Sequence, residues 1–250
     1  MSQWFPFQEN KNLENRLLFC FHHAGGTAAV YRSWGGQDSE FSVLPVELPG
    51  KATRIGEPFI ENMEVLSDQI AEAVAENSGQ REIFLFGHSM GAAITFQVAW
   101  RLENIFHKQP AALIVAGRHP PHFPNRDRYH SDMGTDVLLQ EMIRISGAPD
   151  YLLQNKELQD FILPQVRRDY KLNESFRYHN EKLSCRILAY AGSEDEDAPW
   201  EIMEHWSRVT TGKFELERIE GDHFFVTEGG NVFFQKMIKA LREITAGEKG

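Results

Sequence analysis

Hydrophobic positions along the chain follow two alternating patterns. Six short apolar runs carry the spacing and composition of β-strands, and amphipathic stretches with helical spacing lie between several of them. The strand-like runs are residues 16–21, 41–48, 81–87, 111–117, 185–192 and 213–220, and the clearest helical stretches are residues 63–77, 92–104 and 231–244. This alternation predicts an α/β fold, with a mostly parallel central sheet covered by helices on both faces.

The alternation is interrupted once, between Arg118 and Lys182. No strand pattern occurs there, while residues 135–146 and 156–176 have helical spacing. An interruption of this length in a parallel sheet predicts a helical insertion, commonly a lid over the site. We therefore expect an α/β core formed by residues 1–117 and 183–250, with a helical lid at residues 118–182.

Composition narrows the class of protein. The 250 residues are 42% hydrophobic, which is enough for one large core, and the net charge is −10. An acidic chain argues against nucleic acid as the main partner. No apolar run approaches the ~20 residues that span a bilayer, and the first residues lack the order of a signal peptide, so we expect a cytoplasmic protein without membrane contact. Cys20 and Cys185 lie inside strand-like runs, where thiols behave as core residues.

The chemistry is indicated by the stretch FLFGHSMGAAITF, residues 84–96. It places the pattern G-x-S-x-G directly after a strand and directly before a helix, which is the context of a nucleophile elbow. Glycine at positions 87 and 91 relieves the crowding of so tight a turn, and Ser89 is presented where free backbone N–H groups stabilise an anion. The alternative is that Ser89 merely caps the helix, but a cap explains neither glycine.

A serine nucleophile needs a histidine base, which is oriented by an acid. In α/β-hydrolases the base follows the last strand, and His223 lies on that loop, whereas His205 lies within a helical pattern. The acid is expected after the preceding strand, where four carboxylates occur in succession. We take Asp195 as the acid, with Asp197 as the alternative.

An oxyanion hole requires a second N–H beside that of Met90, the residue after the nucleophile. The glycine-bearing loop after the first strand offers the backbone N–H of Ala24. The histidines near this loop and after the fourth strand suggest a zinc site as an alternative, but their spacing is not that of a zinc motif, and we expect no metal and no bound cofactor. These histidines are His22, His23, His119 and His122.

Motifs along nearly the whole chain resemble one family. The stretches LFCFHHAGGTAAVYRSW, VELPGKATRIGEP, LFGHSMGAAITFQVA, GRHPPH, RRDYKLNE, AYAGSEDEDAP and GDHFFV are similar, in this order, to those of stand-alone type II thioesterases of nonribosomal peptide and polyketide synthesis. The resemblance implies that Ser89, Asp195 and His223 form the triad and that Ala24 and Met90 line the oxyanion hole. It also implies a substrate: acyl groups held as thioesters on the phosphopantetheine arms of carrier domains, from which stalled or wrongly loaded units are cleared.

Two departures from the family pattern affect the mouth of the site. His22-His23 stands where proline and an aromatic residue are frequent, and Lys51 stands where arginine or histidine is usual. Two other functions remain open at this point. One is a carboxylesterase or lipase acting on free esters, and the other is a binding protein that keeps the hydrolase fold without turnover.

The resemblance implies a carrier domain as the partner, and such domains are typically acidic. The predicted insertion contains ten basic and ten acidic residues, so the charge of −10 falls on the rest of the chain. Its densest basic group, Arg167, Arg168 and Lys171, either steers a carrier to the site or forms a solvated face paired with Asp160, Asp169 and Glu174. We expect the chain to be a monomer.

Overall fold

The computed structural model describes residues 3–8, 14–124, 129–146, 155–229 and 231–247. Six strands form one parallel sheet in the order β2-β1-β3-β4-β5-β6. They are β1 Arg16–Phe21, β2 Phe41–Pro45, β3 Glu82–His88, β4 Ala112–Ala116, β5 Arg186–Gly192 and β6 Phe214–Ile219. Each of the six predicted strands is present, with its ends displaced by no more than three residues.

The helices lie between and after the strands. The longer ones are α1 Met63–Ser78, α2 Met90–Asn104, α3 Thr135–Ser146, α4 Lys156–Glu174 and α7 Asn231–Gly247; α5 Trp200–Met203 and α6 Phe225–Glu228 are single turns. Three 3-10 segments lie at Ala28–Trp34, Ala52–Arg54 and Glu204–Val209. All five predicted helical stretches are therefore found, and α3 and α4 stand between β4 and β5.

Two apolar layers cover the sheet. Alternate side chains of each strand point to opposite faces, so Leu17 and Phe19 belong to the layer formed with α1 and α2, while Leu18 and Cys20 belong to the layer formed with α7. Both cysteines are free thiols in this buried interior. Within the described residues, none of the helices is long and apolar enough to cross a membrane.

The strand order determines where a site can form. The connection after β1 leads to β2 on one side, and the chain then returns past β1 to β3 on the other side. The loops that follow β1 and β3 therefore diverge at neighbouring positions on the carboxyl edge of the sheet, which opens a crevice there. The loop after β1 contains Ala24, and the loop after β3 contains Ser89.

Candidate active site

Ser89 occupies a strained turn between β3 and α2. Its backbone angles are φ 54° and ψ −118°, a conformation that non-glycine residues rarely adopt. A Cβ atom at Gly87 would overlap the backbone of Gly91, and a Cβ atom at Gly91 would overlap the backbone of Phe21. The two glycines of the motif are thus required by the close approach of β3, α2 and β1.

The cap alternative for Ser89 is wrong. Ser89 precedes α2, but its side chain makes no capping hydrogen bond to the helix. Its backbone N–H instead donates to the carbonyl oxygen of Ala116 at 2.9 Å, which joins the turn to the end of β4. Ser89 is one of the residues that line the cavity at the sheet edge.

His223 and Asp195 are brought together by the loops that follow β6 and β5. The Nδ1 atom of His223 lies 3.1 Å from both carboxylate oxygens of Asp195. Asp195 is buried, and its Oδ1 atom also accepts the backbone N–H groups of Asp197 and Ala198, at 3.0 and 3.1 Å. With Nδ1 engaged by the carboxylate, Nε2 is the nitrogen of His223 available for proton transfer.

The environment of Asp195 favours its charged form. Burial by itself would raise the pKa of this carboxyl, but the hydrogen bond and charge interaction with His223 and the two backbone N–H donors outweigh burial and lower the pKa. Asp197 differs: its Oδ2 atom lies 3.9 Å from His223 Nδ1, beyond hydrogen-bond distance, and the residue is exposed. Asp195 is therefore the acid that the structure shows hydrogen-bonded to Nδ1 of His223, with Asp197 at ion-pair distance.

The two loops that hold this pair are fastened to each other. Glu194 N–H donates to the carbonyl of Gly221 at 2.9 Å, and Ser193 N–H donates to the carbonyl of Ile219 at 2.7 Å. A Cβ atom at Gly192 would overlap the backbone of the loop after β6, so glycine is needed for this approach. The contact between the loops fixes the distance between Asp195 and His223.

His88, beside the serine, supports the base from behind. It is fully buried, and since a carbonyl can only accept, its Nε2–H donates to the carbonyl oxygen of His223 at 2.8 Å. Burial, followed by repulsion from His223, lowers the pKa of His88 to about 3. A neutral His88 therefore positions the loop of the base without adding a competing charge.

Ala24, Met90, Ser89 and His223 all line one cavity of about 550 Å³, part of it open to solvent.

The sequence did not identify several other residues of the cavity wall. Arg118 and His119 come from the loop after β4, Glu141 from α3, and Tyr170 and Asn173 from α4. The guanidinium of Arg118 donates to Asn173 Oδ1 at 2.7 Å and so joins this loop to α4. Arg118 and His119 lie in the stretch GRHPPH, and Tyr170 and Asn173 lie in RRDYKLNE, but neither stretch indicated a role in the site. The wall forms only when α3 and α4 pack on the sheet edge.

The four histidines considered as a zinc site do not form one in the described part of the chain. There, the only group of three residues with ligand atoms within 4.8 Å of one another is Asp195, Asp197 and His223. Its histidine nitrogen is the one already hydrogen-bonded to Asp195. The donors of this group are thus those of the histidine–carboxylate pair.

For the basic group on α4, the alternative of a face paired with Asp160, Asp169 and Glu174 is not what the described residues show, since these acids have other partners. Asp169 forms an ion pair with Lys51, Glu174 accepts hydrogen bonds from Ser131, and Asp160 pairs with Lys156. Arg167 donates to the carbonyl oxygens of Ser131 and Met133 at 2.6 and 2.8 Å, so it ties α4 to the segment before α3. Arg168 and Lys171 are exposed.

Comparison with known proteins agrees with this fold. The thioesterase domain family matches residues 16–243. Linear gramicidin dehydrogenase LgrE of Brevibacillus parabrevis is 32% identical over 94% of this chain and 90% of its own. Among solved structures, the RedJ thioesterase of the prodiginine pathway of Streptomyces coelicolor has 32% identity and a TM-score of 0.81 over 92% of this chain and 91% of its own. YbtT, a type II thioesterase of the yersiniabactin NRPS/PKS pathway, has 27% identity and a TM-score of 0.82 over 94% and 96%.

The fold is that of an α/β-hydrolase, and the chain belongs to the thioesterase family. Its resemblance to type II thioesterases of nonribosomal peptide and polyketide pathways is confirmed, and the chain is a thioester hydrolase. The interpretation as a free-ester hydrolase is not favoured by these relatives.

Proposed function

We propose that this chain clears acyl groups from the phosphopantetheine arms of carrier domains, through a triad of Ser89, His223 and Asp195. The observation that carries the proposal is the meeting of a strained, uncapped serine and a histidine–carboxylate pair in one cavity at the sheet edge. The family supplies the reaction class, and relatives from peptide and polyketide pathways support carrier-bound substrates.

In the first half of the reaction, Ser89 Oγ attacks the thioester carbonyl while His223 Nε2 takes the hydroxyl proton. The carbonyl oxygen becomes an oxyanion, which the backbone N–H groups of Ala24 and Met90 stabilise at the start of α2. The carbon–sulfur bond then breaks, and the pantetheine thiol leaves with the proton from His223. Asp195 stays ionised and stabilises the imidazolium that forms between these steps.

In the second half, water replaces the thiol. His223 Nε2 removes a proton from the water as the oxygen attacks the acyl-serine carbonyl, and the same two N–H groups hold the second oxyanion. The proton then passes to Ser89 Oγ as the acyl–serine bond breaks, and the free acid leaves. Each half uses the same residues, because His223 alternates between base and acid.

The relative named as a dehydrogenase does not change this proposal. Hydride transfer uses a nicotinamide or flavin as its reactive group, and the protein's part is to bind and orient that group. A serine in a strained turn, lining one pocket with a histidine that is hydrogen-bonded to a carboxylate, is instead the arrangement that activates a nucleophile for acyl transfer. The site geometry therefore favours hydrolysis for this chain.

The test is hydrolysis by the Ser89→Ala variant of an acyl group loaded on a carrier protein. Alanine removes the nucleophile and nothing else from the turn, so we expect the rate to fall by a factor on the order of 10⁴ to 10⁶ with unchanged thermal unfolding. Ser207→Ala, an exposed serine on the 3-10 segment, is the matched control and should keep full activity. A Ser89→Ala enzyme that retains a tenth of the rate would refute the serine mechanism.

A substrate comparison tests the choice of acyl donor. The proposal expects a carrier-bound acyl group to be hydrolysed much faster than a small ester with the same acyl chain, and the reverse order would indicate an esterase. Covalent labelling of Ser89 by a fluorophosphonate, without turnover of any thioester, would indicate a binding protein. The proposal also includes a monomer, testable by sedimentation, and the cytoplasmic location expected from the sequence.

A further inference from the structure

A buried ion pair lies behind the loop that contains Ala24. The ammonium group of Lys51 contacts Oδ2 of Asp169, and the two side chains are 1% and 0% exposed. Lys51 precedes the 3-10 segment Ala52–Arg54, while Asp169 belongs to α4, 118 residues later. Such a pair is weak evidence for stability, since the free-energy cost of removing both charges from water is about as large as the free energy gained from their attraction. Its geometry therefore suggests a role besides stability.

Asp169 makes a second contact, to the loop after β1. The same Oδ2 atom accepts the backbone N–H of Gly25 at 2.7 Å. Gly25 has φ +82°, which places it in the left-handed region where glycine is favoured, and it directly follows Ala24. The carboxylate thus holds the peptide unit that joins the proposed oxyanion donor to the left-handed turn.

Apolar packing adds to this contact between α4 and the loop. Ala24 packs against a cluster of α3 and α4 side chains that includes Val166 and Tyr170. A methyl group of Val166 lies 3.7 Å from the position that a Cβ atom of Gly25 would take. Asp169 lies one helical turn after Val166 on the same face of α4. The helix therefore covers the loop with an apolar contact and bonds it with a charged one.

We propose that Asp169 is a positioning residue for the oxyanion hole. Paired with Lys51, it fixes the Gly25 peptide and so orients the neighbouring N–H of Ala24 toward the reacting carbonyl. This inference rests on the proposed function, in which Ala24 is an oxyanion donor. Within the loop, the Gly26 N–H also donates to the carbonyl of His23 at 3.0 Å, so the turn has a local bond and a bond to α4.

The expected consequence is specific to the transition state. A hydrogen bond to a charged carboxylate is stronger than one to a neutral acceptor, and its loss would let the Gly25 peptide rotate toward another partner. The Ala24 N–H would then miss the oxyanion by a fraction of an ångström, while the surfaces that bind the ground-state acyl group stay in place. Catalysis falls in that case and substrate binding does not.

Two double variants separate the hydrogen bond from the ion pair. Lys51→Met with Asp169→Leu removes both charges and the acceptor, and leaves no lone buried charge. Lys51→Met with Asp169→Asn removes both charges but keeps an oxygen that can accept the Gly25 N–H. We expect the leucine variant to lose about 10- to 100-fold in kcat with KM unchanged, and the asparagine variant to restore most of that loss.

The matched control lies on the same helix. Lys156 and Asp160 form an exposed pair at 3.4 Å, and replacing them by Met and Leu should leave kcat unchanged. The decisive measurement is inhibition by a trifluoromethyl ketone analogue of a small acyl thioester, which adds to Ser89 and mimics the oxyanion. Its inhibition constant should rise in the leucine variant by the same factor by which kcat falls.

The outcomes are distinguishable. Equal losses in the leucine and asparagine variants, or a loss confined to KM, would overturn the positioning role while leaving the serine mechanism intact. Failure of the ketone to inhibit the wild-type enzyme would overturn the proposed function and this inference with it. If the leucine variant does not fold, hydrogen exchange in the wild type provides the test. The amide proton of Gly25 should exchange more slowly than the amide proton of exposed Gly36, and equal exchange rates would overturn the proposal.

Discussion

Asp195 and Asp197 belong to one turn but lie in different environments. Asp195 is buried, accepts two backbone N–H groups and lies within hydrogen-bond distance of His223, whereas Asp197 is exposed and lies 3.9 Å away. A carboxylate orients an imidazole only when it is itself fixed, and backbone donors supply that fixation for Asp195 alone. The difference between the two residues should therefore be large in kinetics.

Replacing each acid by its amide tests this difference. Asp195→Asn should lower kcat on the order of 10⁴-fold, because an amide that donates to Nδ1 favours the wrong tautomer of His223. Asp197→Asn should change kcat by less than about tenfold, since it makes no hydrogen bond to the ring. The measurement is steady-state hydrolysis of a small acyl thioester by both variants, with thermal unfolding as the check on folding. Interchanged effects would move the acid to Asp197.

At the scale of elements, α4 has two distinct contacts. Arg167 is bonded to two carbonyls of the segment before α3, while Arg168, one residue later, is exposed with its guanidinium 6.0 Å from the ring centre of Phe59. Reversal of the charge on Arg167 would therefore loosen the packing of α3 and α4. Reversal on Arg168 removes its contact with the Phe59 ring and changes the field that an approaching acidic carrier meets.

Arg168→Glu should slow hydrolysis of a carrier-bound acyl group about two- to tenfold at low salt and spare a small acyl thioester. Charges at the rim of an interface act mainly on the association rate. The screening length is about 10 Å at 0.1 M salt and shortens as salt is added, so the effect of the substitution should shrink. Lys156→Glu, at the far end of α4, is the matched control and should affect neither substrate. An undiminished carrier rate at low salt in the Arg168 variant would place carrier docking on another surface.

The sequence predicted the elements of this fold well, because each depends on a local pattern. Even α4 was expected as one helix through Pro164, and the structure has it unbroken from Lys156 to Glu174. The pair of Lys51 and Asp169 was not predicted, since no local pattern joins residues 118 positions apart. One of the two alternatives for its charged run makes Asp169 a solvated partner of neighbouring basic residues, and the structure buries it instead.

Across the whole molecule, the site is assembled from the loops after five of the six strands. Four supply proposed catalytic groups: Ala24 after β1, Ser89 after β3, Asp195 after β5 and His223 after β6. The loop after β4 supplies Arg118 and His119 to the wall. In a parallel sheet all these loops leave at one edge, so residues scattered over 200 positions meet once the sheet forms. This is why the order of motifs along the chain was enough to predict the candidate triad, while the shape of the cavity depended on α3 and α4.

The loops that meet at this edge of the sheet also bury three histidines. His22, His23 and His88 are 1%, 7% and 0% exposed. Burial is the main cause that lowers their pKa values, to about 3 for His22 and His88 and well below the usual range for His23. In the unfolded chain each would titrate near 6.5. Between these values the unfolded state binds more protons than the folded one, so stability is present at neutral pH and is lost as the pH falls below 6.5.

The free energy of unfolding should therefore decrease by about 4 kcal/mol per pH unit between pH 6 and 5, since each of three histidines contributes up to about 1.4 kcal/mol per unit. Urea unfolding at several pH values measures this slope. His88→Gln keeps a donor for the carbonyl of His223 but cannot take up a proton, so it should reduce the slope by about 1.4 kcal/mol per unit. An unchanged slope in the His88 variant would show that His88 is already protonated in the folded protein near pH 5, and that its ring does not stay neutral behind His223.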